Sequence, residues 1–128
     1  MGLRKRPGES MDKVEFKQRT KLFALRVIRL VESLPCTRTA NTIGNQLIRS
    51  GTSVGANYRA ACRARSNAEF IAKMGIVEEE ADESMFWMEL LMETGTVRKE
   101  LLESLFKEAN EIVAMVVSSI KSSRRNTR

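Results

Sequence analysis

The 128-residue chain contains no histidine, and that absence excludes more chemistry than any residue present suggests. Histidine is the usual acid-base group near neutral pH and the commonest metal ligand. Di-iron sites in helical bundles need a Glu-x-x-His on facing helices. Here Glu78-Glu79-Glu80-Ala81-Asp82-Glu83 supplies carboxylates with no histidine to follow, and the first helical segment adds only Glu15 and Glu32. A carboxylate-only metal site is the weakest reading, and it would show as a melting temperature raised by divalent ions. The expectation is no catalytic residue, no cofactor, no metal and no enzyme. Two cysteines, Cys36 and Cys62, are too few for a disulfide framework and read as reduced thiols in a cytoplasm. Aromatic residues are 5% of the chain, so no series of rings is available to stack single-stranded bases. The apolar run Ile112 to Val117 is far too short to span a membrane. Met1 to Ser10 has basic residues but no apolar stretch, so no secretory leader is expected, and Met11 is a second candidate start. Gly51-Thr52-Ser53-Val54-Gly55 is no phosphate loop, because it lacks the Gly-Lys pair and lies within a helical pattern.

Only two prolines, Pro7 and Pro35, interrupt a chain otherwise free to be helical. Its apolar residues recur in steps of three and four, the period of one helix face. Asp12 and Glu15 have the spacing of a capping box, and a helix follows from Lys13 with Phe16, Thr20, Phe23, Val27, Leu30 and Leu34 inward. Leu34-Pro35 ends it. A second helix, capped by Thr37 or Thr39, runs from about Thr39 to Arg65, with positions 43, 47, 51, 54, 58 and 61 on one small-residue face. Ser66 and Glu69 form another capping box, which opens a third helix over Asn67–Thr94. Its stripe is Phe70, Met74, Val77, Ala81, Ser84, Met88 and Leu91, and Gly95 stands where a left-handed cap is needed. A fourth, over about Val97–Ser122, carries Leu101, Leu105, Phe106, Ala109, Ile112, Val113, Val116, Val117 and Ile120. Four long helices with short connections predict an all-α, antiparallel up-down-up-down four-helix bundle. It spans residues 13–122, between a flexible basic arm at 1–12 and a disordered basic tail at 123–128.

Charge is unevenly placed. Residues 1–65 carry 14 Lys and Arg against 4 Asp and Glu, whereas residues 66–97 carry 1 against 8. Such a split suits a polyanion on the basic side, or faces of opposite sign that meet when copies assemble. Lys13, Lys17 and Lys21 repeat every four residues, and Arg59, Arg63 and Arg65 crowd the end of the second helix. These six are the candidates for contact with RNA or DNA phosphates; solubility, and cations at a helix C-terminus, are the plainer account.

A second group points to self-association. Phe86, Trp87 and Leu90 lie off the core stripe of the third helix, and a helix apolar on two sides commonly packs on two sides. Trp87 either finishes the core of one chain or enters a subunit interface. Arg49 and Asn57, two turns apart among small residues, either join a polar network between helices or make a subunit contact in which Arg49 meets a carboxylate such as Glu83. Ser50, Ser53 and Ser66 have no base beside them and read as caps or packing contacts.

Gln46-Leu47-Ile48-Arg49-Ser50, Ser53-Val54-Gly55-Ala56-Asn57, Ser66, Glu69-Phe70 and Glu83 together resemble a bacterial family. It is the family of four-helix bundle proteins encoded in intervening sequences of 23S rRNA genes, related to the accessory variability determinant of diversity-generating retroelements. The resemblance spans about Phe16 to Ile120. It implies an antiparallel bundle assembled as a homopentamer, and in the retroelement relative a basic surface implicated in binding nucleic acid and a reverse transcriptase. The chain departs from the pattern at Asn57-Tyr58-Arg59-Ala60-Ala61, where many members have Asn-Ile-Ala-Glu-Gly. It departs again at Glu79-Glu80, where Gly-Ser is frequent. The function expected is a non-enzymatic, cytoplasmic, pentameric bundle that binds structured RNA or DNA. The alternative is an interaction scaffold whose basic face serves solubility alone.

Overall fold

Each helix starts where a short polar side chain can satisfy backbone N–H groups, or where a turn forces the chain round. The computed structural model describes residues 12–126. Helix α1 spans Lys13–Glu32, and Asp12 caps it by accepting from the Glu15 N–H at 2.9 Å. Helix α2 spans Arg38–Cys62, with Thr37 rather than Thr39 as the cap, accepting from Ala40 N–H at 3.1 Å. Helix α3 spans Asn67–Glu93 behind Ser66, which accepts from Glu69 N–H at 3.1 Å. The second half of that capping box reaches one residue further back than expected: Glu69 accepts from the N–H of Arg65, at 3.2 Å. Gly95 has φ +73°, the left-handed conformation that ends α3. Helix α4 spans Lys99–Arg125.

The bundle is all-α, and its helices run antiparallel in sequence order. The start of α1 meets the end of α2, where Phe16 stacks on Tyr58 at 4.5 Å between ring centres. The start of α3 meets the end of α4, where Asn67 donates to the Ser123 carbonyl at 2.6 Å. Neighbours touch around the ring α1–α2–α3–α4, and α1 approaches α4 least. Arg19 spans that looser seam, donating to Glu108 at 2.6 and 2.8 Å and to Glu111 at 2.6 Å. Hydrogen bonding to Glu108, ahead of the charge of either carboxylate, raises the Arg19 pKa.

The expected core holds on α2 and α3 and shifts on α4. All six α2 positions at 43, 47, 51, 54, 58 and 61 are buried, as are Met74, Val77, Ala81, Ser84, Met88 and Leu91 on α3. Phe70 is only half-buried. On α4 the inward stripe begins at Leu102, which is fully buried, while Leu101 is 63% exposed. The steps 102, 105, 109, 112 and 116 keep the helical phase; 101 falls outside it by one residue. Val97 is buried in the turn, so the helix starts two residues later than expected.

At its other end α4 continues three residues beyond Ser122, because Asn126 N–H still finds the Ser122 carbonyl at 3.2 Å. Ser123–Arg125, expected in a disordered tail, are helical. The rest of the expected arm and tail, residues 1–11 and 127–128, lies outside the described residues.

Candidate nucleic-acid interface

Glycine spacing sets how closely α1 and α2 approach. A Cβ at Gly51 would stand 2.8 to 3.1 Å from three side-chain atoms of Val27, and one at Gly55 would stand 3.3 Å from Thr20 Oγ1. Small residues therefore form the floor of an open groove of about 400 Å³ between the two helices, lined in part by Ala24, Thr52, Gly55 and Ala56. Lys17 and Lys21 stand on the α1 side of this groove and Arg59 on the α2 side. Among the described residues no carboxylate lines it. Among the described residues none of the three cations has a carboxylate oxygen within ion-pair distance.

The other three basic candidates sit apart from the groove lining, at the same end of the bundle. Lys13 opens α1, Arg63 is the C-cap residue of α2, and Arg65 lies in the turn before α3; all are exposed. Tyr58 is turned inward beneath this end. Burial, then a hydrogen bond with Cys62, pushes its phenol well above its ordinary pKa, so it stays neutral there.

The candidates for self-association fall on α2 and α3. Arg49 donates to Glu83, and to Glu80 at 3.3 Å, both within the same chain. These bonds join α2 to α3; Asn57 stands outside them, donating to the Ser53 carbonyl of its own helix at 2.8 Å. Ser50, between the helices, is fully buried and bonds Ser84 at 2.9 Å. Phe86 is 51% exposed and meets Trp87 edge to face at 5.0 Å. Trp87 and Leu90 are half-buried against the core.

Trp87 Nε1 donates to Glu83 at 3.0 Å, and that bond, then Arg49, holds the Glu83 carboxyl below its ordinary pKa. A depressed carboxylate stabilises the fold above its unfolded pKa, and the contribution is lost as pH falls through the folded value. Trp87 is the single tryptophan, so its emission reports this step. On acidification the emission should titrate with a midpoint below that of an ordinary glutamate, and Arg49→Gln should move the midpoint upward. A midpoint unmoved by the substitution would mean that Arg49 does not act on Glu83.

Sequence reasoning missed three features: the Arg19 clamp onto Glu108 and Glu111, the use of Glu80, and the apolar outer face of α1. The last had a readable signal, since Val14, Leu22 and Leu25 lie opposite the core stripe of their helix. Among the described residues no three His, Cys, Asp or Glu side chains gather as a metal site requires. No described helix is long and apolar enough to cross a membrane.

Comparison with known proteins places this geometry. A model of the family described as 23S rRNA-intervening sequence protein matches residues 12–118. A crystal structure of a protein of unknown function from the S23 ribosomal protein family of Bacteroides thetaiotaomicron is 37% identical. It superposes with a TM-score of 0.81, over 87% of this chain and 99% of that one. No curated protein matches the chain.

Proposed function

The chain belongs to the 23S rRNA-intervening sequence protein family, and from that premise we propose that it is a non-enzymatic, self-assembling cytoplasmic bundle that holds structured RNA or DNA by its phosphates. The observation that carries this reading is the α1–α2 groove, where Lys17, Lys21 and Arg59 converge from two helices with no carboxylate among the described lining residues. Three cations held near one another repel, and a phosphate backbone relieves that repulsion while releasing its own counterions. Lys17 stands on the α1 side of the groove and Arg59 on the α2 side, so a phosphate backbone can lie between them. Among the described residues no aromatic ring lines the groove, so the contact is to phosphate and not to stacked bases. The family's description refers to 23S rRNA and the solved neighbour's to a ribosomal protein family, which makes structured RNA the first ligand to try.

Self-assembly is supported by the second face of α3, where Phe86 stands half in solvent beside Trp87 and Leu90. The family resemblance makes a pentamer the expected number. The test is a titration of an RNA hairpin and a DNA duplex with the purified protein, repeated between roughly 50 and 200 mM salt. Binding that weakens steeply with salt supports the reading. No binding at the lowest salt leaves the basic face to solubility and favours the scaffold.

A further inference from the structure

Helices α1 and α3 stand at opposite corners of the bundle, and each carries a second stripe on the side away from the core. On α1 that stripe is Val14, Gln18, Lys21 and Leu25, in steps of four, three and four, with Leu22 beside it. Val14, Leu22 and Leu25 are 68%, 52% and 41% exposed, and they line a shallow depression along the outside of α1. On α3 the stripe is Gly75, Glu79, Asp82 and Phe86, again in steps of four, three and four. Phe86 is 51% exposed, and a Cβ added at Gly75 would meet nothing within 4 Å. Glu79 and Asp82 are exposed, with no ion pair among the described residues. The ends of each stripe are about 16 Å apart at the rise of an α-helix, so the two have the same length.

We propose that these faces are the two halves of one head-to-tail contact, in which the outer face of α1 on one copy seats the outer face of α3 on the next. The proposal rests on the self-assembly reading above and names its geometry. Phe86 enters among Val14, Leu22 and Leu25, and Lys21 faces Glu79 and Asp82. Lys21 lies on the rim that this depression shares with the α1–α2 groove, which leaves Lys17 and Arg59 to phosphate in the assembled protein. Charge decides against the symmetric alternatives. An α1–α1 contact would set Lys21 near its own copy, and an α3–α3 contact would set Glu79 and Asp82 near theirs, each a repulsion. A head-to-tail contact pairs opposite signs and leaves one free half at each end, so it repeats from copy to copy. Because the two helices are diagonal neighbours, one chain can use both halves at once.

Two exposed substitutions test this. Leu22→Glu spoils the α1 half and leaves α3 intact; Phe86→Lys does the reverse. Wild-type protein and both variants are compared by light scattering, with circular dichroism confirming equal helix content. The wild type is expected to assemble and each variant alone to run as a monomer. An equal mixture of the two variants should form a heterodimer and stop there, because the intact halves supply a single contact. Variants that keep the wild-type mass, or that stay monomeric when mixed, overturn the proposed contact while self-assembly stands. A monomeric wild type removes self-assembly and this contact with it.

Discussion

Reversing two charges, Lys17→Glu with Arg59→Glu, should weaken RNA binding on the order of a hundredfold and flatten its salt dependence. Both side chains border the α1–α2 groove, and neither is paired with a carboxylate among the described residues, so the fold loses no ion pair in the change. Lys21 is left in place because it also borders the outer depression of α1. With two phosphate contacts, from Lys17 and Arg59, the slope of log affinity against log salt is roughly −1.8, and with neither it is about zero. Raising salt fourfold should then cost the wild type about 12-fold in affinity and leave the variant about unchanged. The same two reversals placed on α4, at Lys107 and Lys121, change net charge equally and should leave the slope near that of the wild type. Equal losses from both pairs would mean that the protein attracts RNA by net charge and not at the groove.

The second large effect is on stability. Gly51→Val should cost about 3 kcal/mol, which lowers the melting temperature on the order of 10 °C. The first added carbon alone would lie 2.8 Å from a Val27 methyl, and Val27 is fully buried. A β-branched side chain in a helix has one favoured rotamer, so Val27 cannot turn aside. Replacing glycine within a helix gains up to about 1 kcal/mol from propensity, less than the overpacking costs. Gly75→Ala supplies the contrast, since its Cβ meets nothing. In the Phe86→Lys background, which removes the proposed assembly, Gly75→Ala should raise stability by roughly 0.5–1 kcal/mol. If Gly51→Val melted with the wild type, α1 and α2 would not approach as described, and the groove they border would not exist in that form.

These two positions show how far the sequence could be read. The small-residue face of α2 is legible because its spacing is strict: positions 43, 47, 51, 54, 58 and 61 repeat the helical period without a break, and all are buried. The α4 stripe is harder, because Leu101 and Leu102 are adjacent and equally apolar. Only the phase set by 105, 109 and 112 decides between them, and it selects Leu102. Composition shows a basic first half, and the repeats show Lys17, Lys21 and Arg59, yet neither shows that these three share a groove. That depends on the register of α1 against α2, which Gly51 on Val27 and Gly55 on Thr20 determine. Lys13, Arg63 and Arg65 belong to the same basic pattern, and the register leaves them outside the groove lining. The Arg19 clamp depends on α4 folding back over α1 across about ninety residues, a distance that no local pattern spans. Arg49 with Glu83 was the accessible pair, since both lie on helices joined by a short turn.

Lysine-protection footprinting tests the central claim most directly. The protein is labelled with an amine reagent, free and in the presence of an RNA hairpin, and the change at each lysine is read by mass spectrometry. Lys17 should be protected by RNA, while Lys107 and Lys121 on α4 should react as they do in the free protein. Equal reactivity at Lys17 with and without bound RNA, or protection confined to α4, would contradict the assignment of phosphate binding to the groove between α1 and α2.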